Sequence, residues 1–462
     1  MRKHTHVCFS NSRSSPQHQE GDFFNPLMST NNEIDLLSPA LHQTKDWQDW
    51  RWQLQHRLTK RTDFEKYLKL SDDEAQGLDF ASKRFLTGVT PHTLTLMDRE
   101  DSSCPVRKQY IPNIKEQYTS QIEMSDPCGE DHSSPVPGIV HRYPDRVLFL
   151  ATDVCAVYCR YCTRSRLVGH KSGFLFNETI QRGLEYIRGN KKIRDVLISG
   201  GDPLLFSDEK LDALLGALRD IPHVEFLRLG SRIPIALPQR ITPELCAILE
   251  KYHPFFMSIH VNHPKELVPE VKEATARLCK AGVPLGSQTV LLKGVNDSPE
   301  IMTQLVHKLL TFRVKPYYLY QCDPIKGSSH FRTSIKRGME ILRKMRGHTT
   351  GYAIPTYVVD GPGGGGKIPI EPSNVVSQKD SVIRLRNWAG KIYEYREETE
   401  PVQTPVPATP AAAPVSVTPV ASAPAQVVAA RAQAPLRAHA PATHARPKAK
   451  AKEPKLEPVH VS

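Results

Sequence analysis

Three cysteines, Cys155, Cys159 and Cys162, stand in CxxxCxxC spacing within Cys155-Ala-Val-Tyr-Cys159-Arg-Tyr-Cys162. Three thiolates are too few to close a tetrahedral zinc site and one short of the four that saturate an ordinary iron–sulfur cube. A cube held by three cysteines keeps one iron open to a substrate or cosubstrate, which turns an electron carrier into a chemical reagent. Zinc would need a distant fourth ligand. Three unrelated buried thiols are the bland alternative, weakened by the apolar run before the loop and the basic Arg164-Ser-Arg166 after it.

The second chemical signal is Lys367, at the end of Pro362-Gly-Gly-Gly-Gly-Lys367. Four glycines remove side-chain bulk and permit positive φ, so the backbone can wrap closely around a bound group while the lysine projects into the pocket. A Walker-type phosphate loop does not fit, because Ile368 and Pro369 stand where Ser or Thr should follow. A desolvated lysine can instead condense with the aldehyde of pyridoxal phosphate, a cofactor that stabilises carbanions or radicals beside its imine. A flexible turn without chemistry is the alternative. Gly200-Gly201-Asp202-Pro203 adds bare backbone beside a carboxylate, able to approach a ligand and accept from an ammonium group. Taken alone, such a turn is more often structural.

These residues need a scaffold. From residue 147, short apolar runs alternate with longer amphipathic stretches: 147–151, 196–199, 224–229, 255–261, 286–292, 316–320 and 354–359 are the strand candidates. Residues 207–218, 242–251, 266–280 and 299–312 carry helical spacing with N-cap candidates. The alternation implies a parallel sheet, either an open Rossmann-like one or a full or partial (β/α) barrel. Placing the cysteine loop with Asp153, Ser199–Asp202, His260, Gln288 and Asp323 at the C-terminal ends of different strands favours the barrel, where such ends build active sites. The expected plan is a poorly ordered 1–40, a mainly helical region over 41–140, an α/β partial barrel over 141–370, an ordered segment over 371–398 and a disordered tail over 399–462.

Composition limits the alternatives. Without a signal-peptide pattern or a run of about 18 apolar residues, the sequence leads us to expect a soluble, cytoplasmic protein without a membrane partner. The nine cysteines show no extracellular pattern, which suits a reducing compartment. The net charge of +12 invites a nucleic-acid partner, yet residues 401–462 hold seven Lys/Arg against two Glu, and their twelve prolines argue for an extended basic tail. A nucleic-acid partner is therefore not expected. Trp47, Trp50 and Trp52 lie close together, and packing against the main body or another subunit is preferred for them over an exposed recognition surface.

The CxxxCxxC loop resembles that of radical S-adenosylmethionine enzymes. Together with the tetraglycine-lysine segment, His141-Arg-Tyr-Pro-Asp-Arg146, His260-Val-Asn-His-Pro264, Tyr320-Gln-Cys-Asp323 and His330-Phe-Arg-Thr333, the chain over about residues 45–395 resembles the lysine 2,3-aminomutase family. The resemblance implies a radical SAM partial barrel, a [4Fe–4S] cluster on Cys155, Cys159 and Cys162, S-adenosylmethionine, and pyridoxal phosphate (PLP) on Lys367. It implies cofactor-phosphate contacts from Arg142, Tyr143 and Arg146, and S-adenosylmethionine contacts from Tyr161, Gly200, Gly201, Asp202, His260 and Gln288. A satisfied core histidine is the other reading of His260. Arg164 matches the family arginine for the substrate carboxylate, and Asp323 and Asp360 the two carboxylates that receive the distal ammonium of lysine. In the related glutamate enzyme those two places hold Lys and Asn.

The implied reaction interconverts L-lysine and L-β-lysine by 2,3-amino migration, through a 5′-deoxyadenosyl radical and a PLP–lysine external aldimine. It needs an electron donor such as flavodoxin or ferredoxin. Another amino acid, or a macromolecule such as a translation factor or tRNA, is the alternative substrate. A homo-oligomer is expected, but its arrangement is left open, because the family's structural zinc site has lost both halves here. The turn Gly294-Val-Asn-Asp297 is followed by Ser298, and no cysteine occurs after Cys322, so no zinc is expected.

Overall fold

A computed structural model describes residues 34–81, 85–169 and 176–397. The expected tail and most of the N-terminal 40 residues lie outside these, and by its internal contacts the chain divides after Glu398. One sheet of nine strands runs in chain order: β1 (Ile139–Tyr143), β2 (Arg146–Thr152), β3 (Asp195–Gly200), β4 (Phe226–Ser231), β5 (Phe255–His260), β6 (Leu285–Leu291), β7 (Lys315–Gln321), β8 (Thr356–Gly361) and β9 (Gly366–Pro369). β2 to β8 are parallel, whereas β1 and β9 are antiparallel edges. The parallel run is made of the seven expected strands, whereas the two antiparallel edges were not foreseen.

Helices fill the crossovers, as strand–helix alternation requires. The helix Asp208–Arg219 starts where Ser207 accepts from Lys210 N–H, and buries Leu211, Leu214, Leu215 and Leu218 along one stripe. Pro243–Glu250, Pro269–Lys280 and Pro299–Thr311 each open on a proline, whose missing N–H costs nothing in a first turn. Their apolar faces join the strands in one continuous core, which also includes Trp50. Trp47 is only 3% exposed, so the tryptophan segment packs inward.

The two sheet edges meet without a ladder. The Lys367 N–H in β9 donates to the Tyr143 hydroxyl in β1 at 2.9 Å. A Cβ on Gly366 would lie 2.8 Å from that hydroxyl, so the close approach requires glycine. The barrel is thus nearly closed, by a side chain instead of strand pairing.

The helical region before the sheet is tied to the cysteine loop. Arg57 donates to the Cys155 and Ala156 carbonyls at 2.8 and 3.2 Å, and Arg160 N–H donates to Gln109 O at 2.9 Å. Arg107, fully buried, pairs with Glu74 at 2.7 Å and donates to the Lys69, Asp98 and Arg99 carbonyls. Beyond β9, the segment expected to be ordered forms a small antiparallel sheet of β10 (Val375–Lys379), β11 (Val382–Arg386) and β12 (Ile392–Arg396). Among the described residues, no helix is long and apolar enough to cross a membrane.

Gly200 and Gly201 show how the sheet sets the loop. Gly200 has φ +121°, and a Cβ on Gly201 would meet Val154 O at 2.2 Å, so only glycine lets the end of β3 press against the chain entering the cysteine loop. Gly201→Ala is expected to cost about 1–3 kcal/mol by overpacking and to displace Cys155. Chemical denaturation and iron content after reconstitution check this; an unchanged midpoint with full iron loading would refute it.

Candidate active site at the barrel mouth

Cys155, Cys159 and Cys162 lie on the loop after β2, all partly buried and unbridged. Burial, with the neighbouring cysteines adding to it, pushes the Cys162 thiol to about 11 and Cys155 well above its ordinary value. These thiols become ligands when a metal's charge drives their protons off. Three thiols on one loop, held by backbone contacts from two other segments, fit a three-cysteine cluster.

The Gly200–Asp202 turn serves this loop in a way the sequence did not indicate. Gly201 N–H donates to Thr152 O at 2.5 Å and Asp202 N–H to Val154 O at 2.8 Å. The Asp202 carboxylate, expected to face a cosubstrate ammonium, is occupied inside the protein. It accepts from Ser231 Oγ at 2.8 Å and from the backbone of Leu204, Arg232 and Ile233 at 3.2, 2.7 and 3.2 Å. Burial holds its pKa at about 6 despite these donors. Asp202 therefore fixes the ends of β3 and β4, while the glycines supply the bare edge.

Tyr161 likewise turns inward. Its hydroxyl accepts from Asn262 Nδ2 at 2.6 Å and from Arg232, and its ring packs edge-on against Phe331. Arg232 is the centre of this cluster, pairing with Glu266 at 2.6 Å and donating to Gln109 and Tyr110 at 2.7 and 2.6 Å. His260 ends β5 and is in register with Gln288, which lies inside β6 rather than at its end. Burial, then the cations of Arg232 and Arg164, hold His260 neutral with a pKa of about 3. Gln288 donates to the Tyr320 hydroxyl at 3.1 Å, and the Lys367 ammonium lies 5.5 Å from the Tyr320 ring centroid. His260, Gln288, Tyr320 and Lys367 thus form a continuous row across β5, β6, β7 and β9.

The group expected to hold a cofactor phosphate gathers at the seam between β1 and β9. Arg142 donates to Cys128 O, and its Nε is buried without a hydrogen-bond partner. A Cβ on Gly364 would lie 3.9 Å from that Nε. Arg146 stacks on the Tyr143 ring at 3.9 Å and pairs with Asp145 at 3.0 Å. Because the Tyr143 hydroxyl accepts from Lys367 N–H, its own proton remains available to a ligand. An orphaned guanidinium nitrogen beside a glycine loop fits a phosphate-bearing cofactor on Lys367.

Residues 123–133 fell inside the region expected to be mainly helical, yet they cross the mouth and organise it. Met124 and Ile325 form a bridge that pins this strap to the loop after β7, next to Asp323. Glu130 grips Arg164 through Nε at 3.0 Å and Nη2 at 2.7 Å. Burial opposes the Arg164 charge, but the Glu130 carboxylate more than offsets it and raises the pKa. Asp126 and Asp131 hold Arg166 at 3.2 and 3.0 Å, and a Cβ on Gly129 would lie 2.7 Å from the Gly363 backbone. Nothing local in the sequence marks Glu130, because its partner is 34 residues away. The one available hint was that the acidic run Asp126, Glu130 and Asp131 is opposite in charge to the distant basic pair Arg164 and Arg166.

Asp323 and Asp360 come together with Cys128, their ligand atoms all within 4.8 Å of one another. Lys367 pairs with Asp360 across β8 and β9, Nζ lying 3.7 Å from Oδ1. Burial and the Asp360 charge raise Asp323 to about 7, with Lys367 acting the other way. The arrangement places an amine nucleophile, two converging carboxylates and an arginine fork around one mouth.

Comparison with known proteins agrees with this geometry. The family model of the radical SAM superfamily matches residues 149–306, and that described as Lysine-2,3-aminomutase matches residues 342–421. An L-lysine 2,3-aminomutase of Fusobacterium nucleatum is 51% identical over 353 residues, covering 76% of this chain and 83% of its own. One from Clostridium subterminale is 50% identical over 76% of this chain and 85% of its own. A glutamate 2,3-aminomutase of Clostridioides difficile is 42% identical over 79% and 86%. With its cysteine loop, partial barrel and glycine-cradled lysine in place, the chain belongs to the lysine 2,3-aminomutase family of radical SAM isomerases.

Proposed function

We propose that this protein interconverts L-lysine and L-β-lysine by moving the amino group between C2 and C3. The observation that carries the reading is the convergence of Asp323 and Asp360 beside Lys367. Two buried carboxylates repel and are costly unless a cation lies between them, so together they suit the distal ammonium of a cationic amino acid. A substrate with a second carboxylate in its side chain would meet like charge there.

Arg164 supplies the other end. Glu130 occupies its Nε and Nη2 edge, which leaves Nη1, with Ser199 Oγ 3.5 Å away, as the edge for the substrate carboxylate. Lys367 is proposed to carry pyridoxal phosphate, with Arg142, Tyr143 and Arg146 around its phosphate. When bound, the cluster with S-adenosylmethionine would supply a carbon radical and pyridoxal phosphate a conjugated imine that stabilises an unpaired electron. Gly200, Gly201, His260 and Gln288 are proposed to line the S-adenosylmethionine site. His260, kept neutral, adds no charge, whereas Asp202 and Tyr161 support the site from behind. A cytoplasmic setting and a reduced flavodoxin or ferredoxin as electron donor complete the proposal.

Two tests follow. Reconstituted protein, assayed anaerobically with lysine, S-adenosylmethionine, pyridoxal phosphate and a strong reductant, is expected to form β-lysine. Lys367→Ala should lose both turnover and the visible absorbance of covalently held cofactor. Asp360→Asn should cost at least about 2 kcal/mol in kcat/KM for lysine, the scale of removing one partner of a buried charge pair. S-adenosylmethionine cleavage with lysine, glutamate and ornithine all unchanged would sink the substrate assignment and direct attention to macromolecular targets.

The second test uses pH. With its pKa raised to about 7, Asp323 is neutral below that pH and anionic above it, and only the anion attracts an ammonium group. KM for lysine should therefore fall as pH rises from 6 to 8, and Asp323→Asn should flatten this change. An unaltered KM profile in the variant would show that Asp323 does not face the substrate charge.

A further inference from the structure

Cys128 has no part in the reading above, yet its sulfur lies beside both substrate carboxylates. Its position is fixed from two sides. Arg142 binds its carbonyl, and its neighbour Gly129 packs on the tetraglycine backbone with no room for a Cβ. The Asp360 side chain is 8% exposed, and its Oδ1 is buried with no hydrogen-bond partner. Lys367 Nζ, at 3.7 Å, is beyond hydrogen-bond reach. A buried carboxylate oxygen left without a donor points to a cation.

We propose that Cys128 Sγ, Asp323 and Asp360 form a binding site for zinc, and that zinc held there excludes the cationic end of the substrate. The site is separate from the structural zinc site implied by the resemblance and expected to be missing here, since it uses a cysteine upstream of the barrel. The second half of the inference rests on the proposed substrate; the first does not.

Ligand atoms within 4.8 Å of one another can close around one ion, given Zn–S of about 2.3 Å and Zn–O of about 2.0–2.2 Å. One sulfur with two carboxylate oxygens suits a borderline-soft ion; calcium and magnesium prefer oxygen alone and more ligands. Binding is coordination with loss of one proton: the Cys128 S–H bond breaks, the sulfur lone pair binds zinc, and the proton leaves to solvent. Thiolate and two carboxylates then surround a dication with a fourth position open, whereas an ammonium group brings a single positive charge.

The test uses full-length protein carrying its cluster and pyridoxal phosphate. Anaerobic equilibrium dialysis against zinc chloride, with bound zinc quantified by mass spectrometry, is run on wild type, Cys128→Ala and Cys128→Ser, with and without lysine. One zinc per chain is expected in wild type, displaced by lysine. Both variants should bind it at least about tenfold more weakly, since loss of even an outer-shell partner costs 10–100-fold in metal affinity. Compared with its own zinc-free rate, turnover by Cys128→Ala should also tolerate zinc that inhibits wild type.

Equal zinc affinity in wild type and both variants, or no zinc bound at all, overturns the site. Zinc that needs Cys128 but is not displaced by lysine overturns the exclusion. Because zinc binding is read without turnover, a protein that binds zinc through Cys128 yet leaves lysine unchanged refutes the substrate reading alone.

Discussion

Two carboxylates converge at the mouth of this barrel and repel each other, and much of the site answers to that constraint. Asp360 looks to Lys367 at 3.7 Å, and Asp323 is pushed toward neutrality by burial and by Asp360. An internal lysine that carries a cofactor is no longer a simple ammonium, so the pair then needs a positive charge from elsewhere. The proposed substrate brings one. The same electrostatics would make the pocket attractive to a metal, so the proposed specificity for a cationic amino acid and the proposed zinc site share residues.

The positive charges are handled differently. Arg164 and Arg166 are held by Glu130, Asp126 and Asp131, all from the strap over 123–133. The grip on Arg164 uses one edge of the guanidinium, so orientation is set while another edge stays open. Deeper in, Arg232 ties Gln109 and Tyr110 of the helical region to Tyr161 of the cysteine loop and to Glu266 after β5. Glu116 of the helical region also pairs with the buried Arg160 of that loop at 2.5 Å, and breaking a buried ion pair by removing one partner costs about 3–5 kcal/mol, so the helical region acts as a structural part of the site rather than an appendage.

The barrel was legible because its signals are local. Apolar runs, prolines at helix starts and serine or threonine caps lie next to the elements they define, and each expected strand fell within three residues of its observed bounds. The cysteine loop and the tetraglycine-lysine segment stood out for a related reason, as each is a pattern contained within a few residues. What stayed hidden was pairing across the fold. Glu130 meets Arg164, Cys128 meets Asp323 and Asp360, and Asp202 spends its carboxylate on Ser231 and Arg232; all depend on tertiary contacts that no local pattern records. The antiparallel edges escaped notice because β1 and β9 are short, and β9 begins in a glycine run that resembles a loop.

The seam between those edges gives the residues proposed to hold a cofactor their common place. β1 and β9 approach closely enough for the Tyr143 hydroxyl to accept from Lys367 N–H, yet no strand ladder joins them. Arg142 stands at the same seam with a buried Nε lacking an acceptor, while its other end holds the strap through Cys128 O. An anionic group bound by Arg142 and Tyr143 and joined covalently to Lys367 would connect both edges and the strap at once. Its binding energy would add to the stability of the folded barrel, because a ligand that binds only the native state shifts the folding equilibrium toward it. The gap in the ladder is thus the place where the proposed cofactor would contribute to closure, and a continuous sheet there would leave Arg142 and Tyr143 no room to converge on it.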